Sequence, residues 1–320
     1  TLSSSSAASD VYKRQGIDSD SDGLGDTPYS IPSSSCIDSL PLVARVHNMN
    51  SGRWHYGIQQ AVDNASDGEV IVVGDGLYRE NVVINKSITL MAGSSPVIDG
   101  MGGVGITVTA NHTTVQGLTL TNCSTGVYVH NDSFVLHHVW LENITVNDPV
   151  INDSISPMGI HFHGVNLSTI LNSLLDNITT GANNARGLYL QNCHLNHVAN
   201  LTIGDVLSEF LAYGLYLDTS CNNTLHLDAI GNVSGVHLGG GGEAYGIKLD
   251  GCGGSDHNTI TCGSLGDLNG SMSAYGIDIR YSDHNNVTLS GGNGHHPQPG
   301  RNNVLRITSP LLSLQQPVHR

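Results

Sequence analysis

The sequence predicts an all-β fold in which the chain circles once per repeat and stacks its coils, a parallel β-helix. The first observation is a returning phrase. Ala212, Tyr213, Gly214, Leu215, Tyr216 and Leu217 come back as Ala244, Tyr245, Gly246, Ile247, Lys248 and Leu249, and again as Ala274, Tyr275, Gly276, Ile277, Asp278 and Ile279. Looser copies start at Gly105, Gly126, Gly159 and Gly187, so the phrase glycines fall 21 to 33 residues apart. A period in that range marks a stacked-repeat architecture. The second observation is the pattern inside each copy: glycine, apolar, variable, apolar, which is strand alternation behind a turn residue. The third is composition. Only 12% of residues are charged, 5% are aromatic and 39 of 320 are glycine, which fits many turns and narrow strands rather than helical bundles. Strands so widely spaced are too sparse for hairpins and can lie side by side only if successive coils stack.

The net charge of −15 argues against nucleic acid, whose phosphates need clustered Lys and Arg. No run of 18 apolar residues is present, so no membrane span is predicted. Residues 1–15, which include Lys13 and Arg14, carry no strand or helix period. They resemble translated sequencing-adapter read-through and are expected to be disordered, with the natural start and any export signal missing.

Residues 16–45 form a separate, Asp-rich unit. Asp18, Asp20, Asp22, Gly23 and Asp26 fall on the first, third, fifth, sixth and ninth positions of an EF-hand-like loop, with Leu24 offering a carbonyl. That spacing places alternate carboxylates around one hard cation, and the glycine permits the sharp turn. Calcium is therefore one expectation. Position twelve is Tyr29 rather than Glu, so affinity should be reduced unless Asp38 substitutes. A solvated acidic linker is the alternative.

The β-helix proper is expected over 46–292. Residues 53–66 read as a short helix with Ile58, Ala61, Val62 and Ala65 on one face. Short β-branched strands follow at 70–73, 82–84 and 88–91, then the run 96–100. A helix leading directly into such strands reads as a cap over the open end of the stack.

The segments from Gly57 to Asp63, Asp67 to Val73, Gly76 to Asn81, Asn85 to Leu90 and Pro96 to Gly100 resemble the opening of a right-handed parallel β-helix. They are similar to pectin-lyase-like proteins and above all to the NosD-type β-helix family, named for a periplasmic copper-binding protein. The resemblance covers roughly residues 16 to 292, and segment 18–42 looks like the close of a preceding domain of the same family. It implies the right-handed coil. It implies no catalytic residue, since this fold hosts lyases, hydrolases, epimerases and non-enzymatic surface proteins.

From 105 to 292 each phrase is followed by a polar turn and a second strand, as at 197–203, 222–227, 257–260 and 284–289. Asn222/Asn223, Asn258 and Asn285/Asn286 take the same place in successive coils and are expected to hydrogen-bond in a column, Asn also tolerating the left-handed turn. Tyr213, Tyr245 and Tyr275 should stack likewise. Residues 293–320 read as a loop and a partial coil.

Strand parity gives the outer face. One column reads Thr107, Tyr128, His161, Tyr189, Tyr216, Lys248, Asp278; the next reads Thr109, His130, His163, Gln191, Asp218, Asp250, Arg280. Tyr189 and Tyr216 are expected to form a flat platform for a sugar ring, with Asp218, Asp250 and Asp278 bonding its hydroxyls. Paired carboxylates would also suit glycoside hydrolysis, and Lys248 or Arg280 a lyase base. The plain alternative is a solvated ladder in which Lys248 and Arg280 neutralise Asp218, Asp250 and Asp278. His130, His161 and His163 are candidate copper or zinc ligands. Cys193, Cys221 and Cys252 should stack, close enough for one neighbouring pair to bridge, or else remain as buried thiols. Fourteen Asn-x-Ser/Thr sequons, among them Asn85, Asn143, Asn200 and Asn286, fit a glycosylated, exported chain. Together these features predict an extracellular, cell-surface or periplasmic protein that binds a polysaccharide or surface glycan, or builds the envelope, without catalysis. A lyase or hydrolase is the second reading, and a copper-handling accessory protein the third. Neighbouring repeat domains are the expected partners in a longer chain.

Overall fold

The computed structural model describes residues 29–30, 37–38, 44–147, 156–181, 183–237, 239–251, 254–292 and 303–307. The calcium loop from Asp18 to Asp26, and Cys36 and Cys252, lie outside them.

The chain winds as a right-handed parallel β-helix. The phrase strands build one nine-stranded parallel sheet, running from Val82–Ile84 through Val104–Val108, Thr125–His130, Met158–His163, Ala185–Gln191, Leu211–Asp218, Glu243–Asp250 and Ser273–Ile279 to Asn303–Ile307. The second strands, among them Thr169–Asp176, His197–Ile203, Thr224–Ile230, Thr259–Leu265 and Asn286–Gly292, build a larger sheet. A third side was not apparent in the sequence. It is made of short strands, Ile178–Thr179, Val206–Ser208, Val233–Gly235 and Leu268–Gly270, which form their own four-stranded sheet. Within the coils every pairing is parallel, and most run residue-for-residue, for example Leu215↔Ile247↔Ile277, with register shifts at Leu201 and between Tyr275 and Asp278. Each coil is therefore a translated copy of the last. The apolar residues of all sides meet in one continuous core: Ile160, Leu188, Leu215, Ile247, Val198 and Leu225 are all buried. Each such side chain contributes about 1.5–3 kcal/mol on burial.

The phrase glycine has a steric cause. A Cβ on Gly159, Gly187, Gly214 or Gly246 would lie 2.5–2.7 Å from the carbonyl oxygen of the glycine one coil further on. It would also meet a core side chain, such as Ile230 Cγ2 at 2.6 Å for Gly214. The glycine and the apolar residue after it both face inward, so strict alternation breaks there. As a result Tyr213 and Tyr216, three residues apart, share the outer face, their rings stacked at 5.0 Å.

The cap is smaller than the sequence implies. The helix is Ile58–Asp63, while Arg53–His55 is a strand paired antiparallel with Val46–Asn48, which itself pairs antiparallel with Val70–Val73. Ile58, Ala61, Val62 and Ala65 are buried as the pattern requires. The N-cap Gly57 has no side chain to offer, and Glu80 serves instead, its carboxylate accepting the Ile58 and Gln59 backbone N–H groups at 3.0 and 2.8 Å. At the other end the Lys86 ammonium donates to the carbonyls of Val62, Asp63 and Ala65.

The asparagine column exists and is one coil longer than predicted. The Asn196 backbone and side-chain N–H groups both donate to Asn223 Oδ1, Asn223 does the same to Asn258, and Asn258 to Asn285, at 2.8–3.1 Å. The left-handed conformation belongs to the residue before each ladder position, Leu195, Asn222, His257 and His284, with φ of 55–58°.

The cysteine expectation fails by one residue. The Cys193 N–H bonds to Ser220 Oγ, and Ser220 leads on to Ser255 and Ser282. Cys221 instead pairs with His194. Cys193 thus lies in the interior column and Cys221 in the turn, and both are free thiols. The two turns are equal in length, but Cys221 stands one position later in its coil than Cys193 does, which puts it in the next column.

Candidate functional site

The two outward columns have the predicted register. Tyr128, His161, Tyr189, Tyr216, Lys248 and Asp278 pair in succession, as do His130, His163, Gln191, Asp218 and Asp250. Accessibility departs from prediction. Parallel strands about 4.8 Å apart bring like side chains to stacking distance, so the aromatic rings cover one another. Tyr128, His161, Tyr189 and Tyr216 stack at 4.6–5.0 Å. The pile then crosses to the next column through Tyr213 and runs on to Tyr245 and Tyr275 at 5.0–5.1 Å. Both faces of Tyr189 and of Tyr216 are occupied by neighbouring rings, so the flat sugar platform expected from this pair is not present. Burial raises the phenol pKa values of Tyr189, Tyr213, Tyr216 and Tyr245, that of Tyr213 to about 12, and for Tyr189 and Tyr216 the nearby Asp218 charge adds to it.

The cations are committed to the scaffold. The Lys248 ammonium is buried over the rings of Tyr245, Tyr216 and Tyr213 at 4.8, 5.2 and 5.5 Å, and lies 3.4 Å from Asp250 Oδ2. Arg186 covers Tyr189 and Tyr213 in the same way, at 5.0 and 5.5 Å. Asp278 is fully buried; Arg280 Nε donates to its Oδ1 at 3.1 Å and lies 2.8 Å from its Oδ2 in an ion pair. Burial works against the Arg280 charge, but the hydrogen bond and charge of Asp278 outweigh it and hold its pKa above the usual value. The ladder of neutralised charges therefore describes Lys248, Asp278 and Arg280, and Asp278 is not offered to a sugar.

What remains accessible is a cleft of about 830 Å³ lined by Gln191, Asn192, Tyr216, Asp218, Asp250 and Tyr281, among others. It follows the end of the phrase strands, where the chain turns through Thr219 and Gly251, both at positive φ. Asp218 is oriented by three donors: Tyr189 Oη at 3.1 Å and Gln191 Nε2 at 3.4 Å to Oδ2, and Thr219 Oγ1 at 3.1 Å to Oδ1. Asp250 accepts the Gly251 N–H at 2.8 Å as well as Lys248. A carboxylate has about four acceptor sites, so each retains capacity toward the cleft. Tyr281 stands at its rim, 80% exposed. Asn192 and Tyr281, unlike Asp218 and Asp250, were not foreseen, because they belong to turns rather than to the repeating phrase.

His130, His161 and His163 are not gathered for a metal. His161 lies flat between Tyr128 and Tyr189, and His163 is parallel to it with ring centroids 6.1 Å apart. Burial, then the charges of His163 and Arg186, lower the His161 pKa to about 3, so it is a neutral member of the aromatic pile. Among the described residues the histidines whose nitrogens do converge are His112, His137 and His138.

Residues 61–245 match the family model described as periplasmic copper-binding protein (NosD). The chain belongs to the NosD family. A curated relative, a cell surface glycoprotein of Methanothermus fervidus, is 28% identical over 241 residues, which is 68% of this chain and 39% of that protein. The NosD-family chain thus spans well under half the length of that relative. Among solved structures it is similar to an alginate lyase from Paenibacillus sp., with TM-score 0.46 and 16% identity, covering 81% of this chain and 95% of that one. It is also similar to the A-module of a mannuronan C-5 epimerase from Azotobacter vinelandii, with TM-score 0.35 and 15% identity, covering 80% and 95%. At these scores the two likenesses bear on neither substrate nor activity. No helix among the described residues is long and apolar enough to cross a membrane.

Proposed function

We propose that this chain is an exported, cell-surface β-helix protein that binds carbohydrate in the Asp218–Asp250 cleft and does not turn it over. The observation that carries this reading is the cleft itself: two in-register carboxylates, one fixed by Tyr189, Gln191 and Thr219, beside an exposed tyrosine ring. Oriented acceptors flanked by an aromatic are what sugar hydroxyls and the apolar face of a sugar ring require. The location is supported by the name of the cell-surface relative, by the periplasmic description of the family and by exposed sequon asparagines such as Asn85, Asn143, Asn200 and Asn286. The non-catalytic part rests on the cations: Lys248 and Arg280 are tied to Asp250 and Asp278 and are poorly disposed to act as a lyase base. Calcium at Asp18, Asp20, Asp22, Leu24 and Asp26, and neighbouring repeat domains, belong to the same reading of a modular surface protein.

A polysaccharide panel, uronate-rich and neutral, tests it by calorimetry. One class should bind the parent chain, and Asp218→Ala and Tyr281→Ala should each weaken that binding at least tenfold with unchanged melting. Parent-like binding by both variants removes the cleft from the reading. Release of reducing ends or unsaturated uronate from any member of the panel overturns the non-catalytic part.

A further inference from the structure

We infer that His112, His137 and His138 form a site for a divalent first-row transition-metal ion of the zinc or copper class, separate from the carbohydrate cleft and independent of that reading. His112 and His138 occupy the left-handed position of the same turn in adjacent coils, with φ of 54° and 58°. The repeat therefore lays their rings parallel, with centroids 4.8 Å apart. His137 immediately precedes His138, and its backbone N–H is fixed by Asn111 Oδ1 at 2.8 Å. Its ring stands edge-on to the other two, at 5.4 and 5.0 Å. One nitrogen from each ring lies within 4.8 Å of the others, and the Nδ1 atoms of His137 and His138 are 2.9 Å apart.

The donor set selects the ion. Imidazole nitrogen suits zinc, copper and nickel, whereas calcium and magnesium take oxygen ligands. Zinc holds such nitrogens at about 2.0–2.1 Å. His112 and His138 are exposed and His137 half-buried, so the two exposed rings have room to turn their nitrogens toward a common ion. Two Nδ1 lone pairs facing each other repel unless a proton or a cation lies between them. With three protein ligands at an exposed turn, the fourth position stays open to water or to an exchanging ligand, as suits a site that loads and releases its ion.

The same turn recurs with a difference that serves as an internal control. His257 and His284 are also left-handed and stacked, at 4.6 Å. The residues before them are Asp256 and Asp283, and Asp256 Oδ1 is bound to the Asp283 N–H. That pair lacks the third imidazole.

Zinc calorimetry in excess calcium, with melting curves for every variant, tests the site. The parent should take up one equivalent. His137→Gln and the double variant His112→Gln/His138→Gln should bind at least tenfold more weakly, while His257→Gln/His284→Gln binds as the parent does. Copper(II) electron paramagnetic resonance should show imidazole nitrogen coupling that disappears in His137→Gln. Should His137→Gln fail to fold, His112→Gln alone gives the same reading, because its side chain is exposed. No uptake by the parent, equal uptake by the His112/His137/His138 variants, or equal loss in the His257/His284 control overturns the proposal.

Discussion

The Cβ that Gly214 lacks would lie 2.7 Å from the carbonyl oxygen of Gly246. Real Cβ atoms do not approach backbone oxygen so closely, so the coils stack at this spacing because position 214 carries no Cβ. Gly214→Ala should cost about 1–3 kcal/mol, as other insertions into filled cores do. Gly241→Ala, which would meet only His237 Cδ2 at 3.9 Å, should stay within about 0.5 kcal/mol. Urea midpoints of the two variants check this, and equal midpoints would show that the glycine column is dispensable.

The asparagine ladder should be as sensitive. Asn223→Ala removes the acceptor of both Asn196 donors and a donor to Asn258, all buried. Leaving such groups unpaired costs about 1–3 kcal/mol. The neighbouring Asn222→Gly should be neutral or slightly stabilising, since Asn222 is exposed and sits at φ 57°, a conformation glycine adopts without strain. Thermal melts of the two single variants, read side by side, separate ladder from turn.

Lys248 couples the aromatic pile to the cleft, touching three tyrosine rings and Asp250. Lys248→Met should destabilise by about 1–3 kcal/mol, short of the figure for a fully buried pair because Asp250 is partly exposed. Adding Asp250→Asn to Lys248→Met should recover part of that loss. A double-mutant cycle by chemical denaturation measures the coupling, and additive effects would mean that the two charges do not interact.

His161 predicts a pH dependence. Its pKa is held near 3 by burial, against an ordinary value of 6.5, so the native chain binds fewer protons there than the unfolded chain. The neutral ring's contribution is complete above about pH 6.5 and is lost as pH falls from there toward 3. The slope cannot exceed about 1.4 kcal/mol per pH unit from one group. His161→Tyr, which extends the pile with a ring that stays neutral, should flatten the curve between pH 6 and 4. Parallel curves for variant and parent would place the acid sensitivity elsewhere.

The period, the strand identity of each phrase, the inward side and the in-register columns from Tyr128 to Asp278 and from His130 to Asp250 were all legible in the sequence. They follow from one rule, that each coil is a translated copy of the last, and translation preserves order along a column. What the columns leave open to solvent was decided only in three dimensions. Ring stacking closed the faces of Tyr189 and Tyr216, and the inward step at the phrase glycine put Tyr213 beside Tyr216. The turns that carry Asn192 and Tyr281 opened a cleft at Asp218 and Asp250. The register carried through the turns placed Cys221 one column past Cys193 and brought His112 onto His138. Periodicity thus sets which residues are neighbours, and packing of bulky side chains and irregular turns sets which of them remain available to a ligand.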